Sequence, residues 1–153
     1  MAIGLAALGL LAFLLGCSGT FAEPQNLESA AKCSLTGTWK SALGNIMEID
    51  SVSDTGVFSG TFYICTVPLR FSSKPVPPSP LQGIQHLDSQ PTFGFTVSLS
   101  FVEMTIVFAG QCLVDKNGKE QLRTNWVFQD FVESPEEDWE ETTVQRSTFY
   151  RTE

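Results

Sequence analysis

The sequence predicts an all-β protein, an eight-stranded antiparallel up-and-down β-barrel, from three observations. Residues 92–101 alternate without a fault, with Phe93, Phe95, Val97, Leu99 and Phe101 on one face and Thr92, Gly94, Thr96, Ser98 and Ser100 on the other, the period of a half-buried strand. Turn signals, Asp54-Thr55-Gly56 and Asp115-Lys116-Asn117-Gly118, join segments of the same kind, as hairpins require. No segment carries a helical apolar period, so strands near 35, 47, 61, 83, 97, 108, 125 and 146 bury one face each by closing on themselves.

Residues 1–22 are uncharged and rich in Leu, Ala and Gly, with Thr20-Phe21-Ala22 before Glu23-Pro24. This reads as a signal peptide rather than a membrane anchor, because its apolar part is short for a span of about 20 residues. Subtracting 22 from 153 residues leaves 131, enough for one domain with a sizeable core. A polar leader over 23–32 precedes the barrel domain, 33–151. The mature chain keeps a net charge of −8 and a pI near 4.5, which argues against nucleic acid or an anionic membrane as partner. The acids Glu133, Glu136, Glu137, Asp138, Glu140 and Glu141 read as a solvated loop.

In residues 33–43, Leu35, Gly37, Trp39, Ser41 and Leu43 share a parity, which turns Trp39 inward. Asn45, Met47 and Ile49 follow on the second strand. On the third, Phe58, Gly60, Phe62 and Ile64 oppose Val57, Ser59, Thr61, Tyr63 and Cys65, and a bulge between Phe62 and Tyr63 would exchange the two faces. The proline-rich stretch 68–91 is an extended loop with a short strand over 81–85. After residues 102–104 break the alternation, 105–112 resumes it with Ile106 and Phe108. The next strand points Leu122, Thr124, Trp126 and Phe128 inward, and the last points Thr143, Gln145, Ser147 and Phe149 inward.

Once Cys17 leaves with the signal, Cys33, Cys65 and Cys112 enter an oxidising compartment as an odd set, so one bridge and one spare thiol is the simplest outcome. Cys33 opens the first strand and Cys112 ends a later one, which makes them the plausible pair, with Cys65 packed as a free thiol in an apolar run. His86 is the single histidine, so no metal site and no base for a nucleophile is evident, and no catalytic residue is expected. Polar Ser41, Asn45, Thr124 and Ser147 share the inner parity with Trp39, Phe101, Phe108 and Trp126. Buried polar groups need partners, and the polar head of a ligand would supply them.

Ser34-Leu35-Thr36-Gly37-Thr38-Trp39, QPTFGFTV over 90–97, VFAGQC over 107–112, Asn117-Gly118-Lys119-Glu120, Trp126 and Asp138-Trp139 together resemble the avidin family. The likeness runs in order through nearly all of 33–151. It implies a secreted barrel that binds biotin without a cofactor, assembled as a tetramer or dimer, with a Cys33–Cys112 disulfide. The resemblance places Leu43, Phe101, Phe108 and Trp126 in the hydrophobic box, Trp139 as the tryptophan lent by a neighbouring subunit, and Ser41, Asn45 and, if the third strand bulges, Tyr63 beside the ureido oxygen. Ser147 would replace an Asn that meets a ureido N–H. Leu99, Met104 and Ile106 depart from the family's Trp, Ser and Thr, so weakened biotin binding is expected. Asn125 and Arg146 stand where avidin places apolar residues between barrels, and a looser assembly follows. Two alternatives stand beside this one: a barrel that has drifted to another hydrophobic ligand or none, and a lipocalin-type carrier, which Gly37-Thr38-Trp39 also fits.

Overall fold

The computed structural model describes residues 31–65, 76–99, 101–136 and 144–153. The expected signal peptide with Cys17, most of the expected leader, Ser100, Trp139, Thr143, Glu137, Asp138, Glu140 and Glu141 lie outside them. Eight strands close into a barrel in sequence order: β1 (Gly37–Ser41), β2 (Ile46–Val52), β3 (Val57–Tyr63), β4 (Ser79–Gln85), β5 (Thr92–Leu99), β6 (Met104–Val114), β7 (Glu120–Gln129) and β8 (Gln145–Arg151). Every neighbouring pair is antiparallel, and β8 returns to β1 through Ser41 opposite Phe149. Closure leaves no sheet edge unpaired.

The alternation read from residues 92–99 is the inner wall of β5, where Phe93, Phe95, Val97 and Leu99 are all buried. Each such side chain contributes about 1.5–3 kcal/mol by leaving water. The turn after β6 is set by Asp115, whose Oδ1 accepts the N–H groups of Asn117 at 2.8 Å and Lys119 at 2.9 Å. Those bonds, that from Lys119 first, hold its carboxyl below the usual carboxylate range, and Gly118 takes the left-handed φ of 78° that closes the reversal.

β4 starts at Ser79, two residues before the strand expected over 81–85. Pro80 is tolerated there because it lies next to the first residue of the strand, where a missing N–H is least costly. The ambiguity of the third strand is resolved without an exchange of faces. β3 pairs with β4 in unbroken register from Val57 to Phe62, and the irregularity falls on β2 between Ile49 and Val52. Phe58 and Phe62 therefore point inward.

The connections β2–β3, β4–β5 and β6–β7 gather at one end, here the lower end, and the strand ends that lead into the other connections define the upper end. The lower end is plugged by the segment before β1. The expected disulfide joins Cys33 to Cys112, with Cα atoms 5.8 Å apart, and Leu35 and Trp39 are fully buried. The Trp39 indole N–H donates to Leu35 O at 2.8 Å. Arg151 at the end of β8 lies over the Trp39 ring, 4.3 Å from its centroid, and donates to Thr36 O at 2.8 Å and Ser34 O at 2.6 Å. Gly37 takes a positive φ of 126°, which side chains disfavour, and a Cβ there would stand 2.4 Å from Arg151 Nη1. Cys65 departs from the packed thiol expected of it: it is unbridged and exposed just beyond β3, since the strand ends at Tyr63 and no inner wall remains to cover it.

Candidate functional site

The upper half of the interior is built around Phe108. Its position on β6 lies opposite Phe95 on β5 and Trp126 on β7, and the rings stack at 4.6 Å on Phe95 and tilt at 6.1 Å against Trp126. Phe62 reaches Phe108 at 5.6 Å and Phe149 at 6.3 Å. Since β3 and β8 are not neighbours, these contacts cross the barrel and form an aromatic layer. Such pairs add roughly 0.5–1.5 kcal/mol beyond area burial. Phe101 follows β5 in the turn over 101–103 and packs half-buried against the same core. Glu103 reverses that turn with a φ of 49°.

Polar groups stand beside the layer on the β7, β8 and β1 side. The Trp126 indole N–H donates to Ser147 Oγ at 3.0 Å, and the Thr124 hydroxyl donates to Ser147 O at 2.9 Å. With its acceptor side engaged, the Ser147 hydroxyl keeps its own proton to donate. Ser41 is buried at the end of β1, and its Oγ accepts the Asn45 N–H at 3.2 Å. Asn45 Oδ1 in turn accepts the Cys65 N–H at 3.1 Å, so the carboxamide pins the β1–β2 turn to the end of β3 and leaves its two N–H bonds as the remaining donors.

Among the described residues proposed from the sequence, the structure brings Ser41, Asn45, Phe101, Phe108, Trp126 and Ser147 to the upper half of the barrel. Leu43 is on the rim of that end and largely exposed. Tyr63 is a correction. Unbroken β3 register turns it to the outer wall, where its hydroxyl donates to Glu48 Oε2 at 3.1 Å, and that hydrogen bond raises the phenol above its ordinary value. The inner residue at this level is Phe62. Phe128 corrects a second reading: at 42 % exposure it lies past the closed wall. Leu99 is buried, and Met104 and Ile106 are half-buried against the core, so these three positions on β5 and β6 present aliphatic side chains.

Sequence reasoning missed Phe62 and Ser79. Phe62 was legible in the shared parity of Phe58, Gly60 and Phe62. Ser79 is buried at 3 % exposure on the inner face, in phase with Leu81, and was hidden by the surrounding prolines. Among the described residues the one close group of metal-ligating types is Cys33, Cys112 and Glu120, where both sulfurs are spent in the disulfide.

A family model described as the avidin family matches residues 29–152. Avidin-related protein 1 of Gallus gallus is 50% identical over 124 residues, 80% of this chain and 81% of the relative. Avidin of Gallus gallus is 46% identical over 126 residues, again with 80% and 81% covered. The X-ray structure of a biotin binding protein from chicken superposes with a TM-score of 0.72 at 39% identity, covering 80% of this chain and 98% of that one.

Proposed function

The chain belongs to the avidin family, and from that premise we propose that it binds biotin non-covalently in the upper half of its barrel, without chemistry on the ligand. The observation that carries this reading is the aromatic layer of Phe62, Phe108, Trp126 and Phe149 set beside the hydroxyls of Ser41, Thr124 and Ser147. An apolar wall with a few convergent polar groups is what a small ring-bearing ligand requires. Ser41 and Ser147 have hydroxyl protons, and Asn45 amide protons, to offer an acceptor on the ligand, while Trp126, Phe101 and Phe108 cover its apolar part. Trp139 from a second copy and Leu43 on the rim complete the enclosure, in a homotetramer or dimer.

The binding is weaker than avidin's. The wall of Leu99, Met104 and Ile106 offers no hydrogen bond, and neither does Phe62. Losing two or three buried polar contacts at roughly 1–3 kcal/mol each removes on the order of two to six decades of affinity. Biotin complexes of this fold are themselves among the tightest non-covalent pairs known, so measurable affinity survives that loss. Residues 1–22 act as a secretory signal in this reading, and the mature protein is extracellular. Calorimetry and thermal unfolding of the mature chain with biotin test the proposal. A saturable heat and a rise in Tm are expected, and neither effect at millimolar biotin would refute it.

The same aliphatic wall favours a second reading, a carrier that has drifted to another hydrophobic ligand or to none. Native mass spectrometry of secreted protein separates the two, because a retained mass other than biotin's supports the drifted carrier.

A further inference from the structure

We propose that Ser79 is a further ligand-contacting residue, placing a hydroxyl on the wall opposite Ser41 and Ser147; this rests on the reading of the upper interior as a biotin site. β4 begins at Ser79 and pairs with β3 so that Ser79 faces Phe62. Both residues are buried at 2–3 % exposure, and directly opposed inner residues on antiparallel strands stand within about 5.5 Å at their Cβ atoms. The Ser79 side chain thus flanks the ring that meets Phe108 at 5.6 Å across the barrel. Leu81 lies opposite Val97 on β5, so two residues further towards the upper end Ser79 and Leu99 follow on the same inner face. Ser79 therefore interrupts the apolar wall formed by Phe62, Leu81 and Leu99.

A buried hydroxyl in such a wall needs a partner, and a polar group on the edge of a bound ligand meets that need. The ligand class this selects is a small molecule with an apolar middle resting on the Phe62–Phe108 layer and hydrogen-bonding groups on two edges. One edge faces β1 and β8, and the other faces β4. The bicyclic head of biotin, with ureido and ring-sulfur edges, has that form. Phe62 and Ser79 together make β3 and β4 a specificity-determining wall.

The test compares wild type, Ser79→Ala and Ser79→Thr by biotin calorimetry and by unfolding without ligand, with the outward Ser59→Ala as control. Ser79→Ala is expected to raise the Kd about tenfold, the size of one hydrogen bond, with the ligand-free Tm within about 2 °C of wild type. Ser79→Thr keeps the hydroxyl and is expected to stay within about threefold. Should Ser79→Ala fail to fold, Ser79→Cys, with similar volume and a weaker donor, carries the same comparison. An unchanged Kd in the Ala variant overturns the proposal while leaving biotin binding intact, and so does a fall in ligand-free Tm without a change in Kd. A wild-type chain that ignores millimolar biotin overturns both.

Discussion

Arg151→Met should destabilise the barrel by about 3 kcal/mol and do so most strongly near neutral pH. The guanidinium is anchored on three sides: it donates to Ser34 O and Thr36 O, pairs with Glu120 at 2.5 Å and covers the Trp39 ring. Hydrogen bonds from a charged donor contribute about 1.5–3 kcal/mol each, and Arg151 makes two to carbonyls besides its ion pair. With side-chain exposures of 31% for Arg151 and 21% for Glu120, the lower end of that range applies. The cation–π contact is included in it, because a Met stem still covers part of the ring. For a domain of this size the loss is a fall in Tm of about 10 °C. Glu120 supplies the pH dependence. Burial pushes its carboxyl up, but hydrogen bonds from Arg151 and the Ser34 N–H, with the Arg151 charge, outweigh that and hold it below its ordinary value of 4.5. A depressed carboxyl stabilises the fold fully above the unfolded value, and the contribution is lost as pH falls through the folded value. In the Met variant burial remains and the cation is gone, so the gap between variant and wild type is widest at pH 7 and narrows as pH falls through the ordinary carboxyl value of 4.5. Thermal unfolding at pH 7, 5, 4 and 3 measures this. A gap under 2 °C at pH 7, or one that does not narrow with acid, would refute the assignment of Arg151 as the lock on the lower end.

Reduction of the Cys33–Cys112 bridge, or its replacement by two alanines, frees a loop with a sequence separation of 79. Chain entropy puts the cost at about 4–5 kcal/mol, read as a lower denaturant midpoint. Ser147→Ala removes the acceptor of the Trp126 indole N–H and is expected to cost about 1–2 kcal/mol of stability. It should also weaken biotin about tenfold in a titration followed by Trp fluorescence, and equal affinities would exclude Ser147 from the site. Tyr63→Phe should leave the biotin Kd within twofold, because the phenol faces Glu48 on the outer wall; a large loss would require Tyr63 to enter the barrel on binding.

The strands were legible because each has one wet and one buried face. The run from Thr92 to Leu99, the turn at Asp115 and the inward Trp39 and Phe108 all follow from a period of two and from local turn chemistry. The disulfide pair followed from where two strands begin and end. Tyr63 was misplaced because phenylalanine and tyrosine side by side satisfy either parity. Only pairing with β4 from Val57 to Phe62 settles which of them points inward. Cys65 was misjudged because an apolar run shows propensity and not where the strand stops.

By itself the sequence determined the class of the protein: eight amphipathic strands and an aromatic interior. Those properties depend on near neighbours in the chain. Tertiary structure alone decided that Phe62 meets Phe108 and Phe149 across the barrel, that Ser147 receives the Trp126 indole, and that Ser79 is drawn inside. Each joins residues far apart in sequence, and closing the barrel fixes the register that brings them together, which no local period encodes.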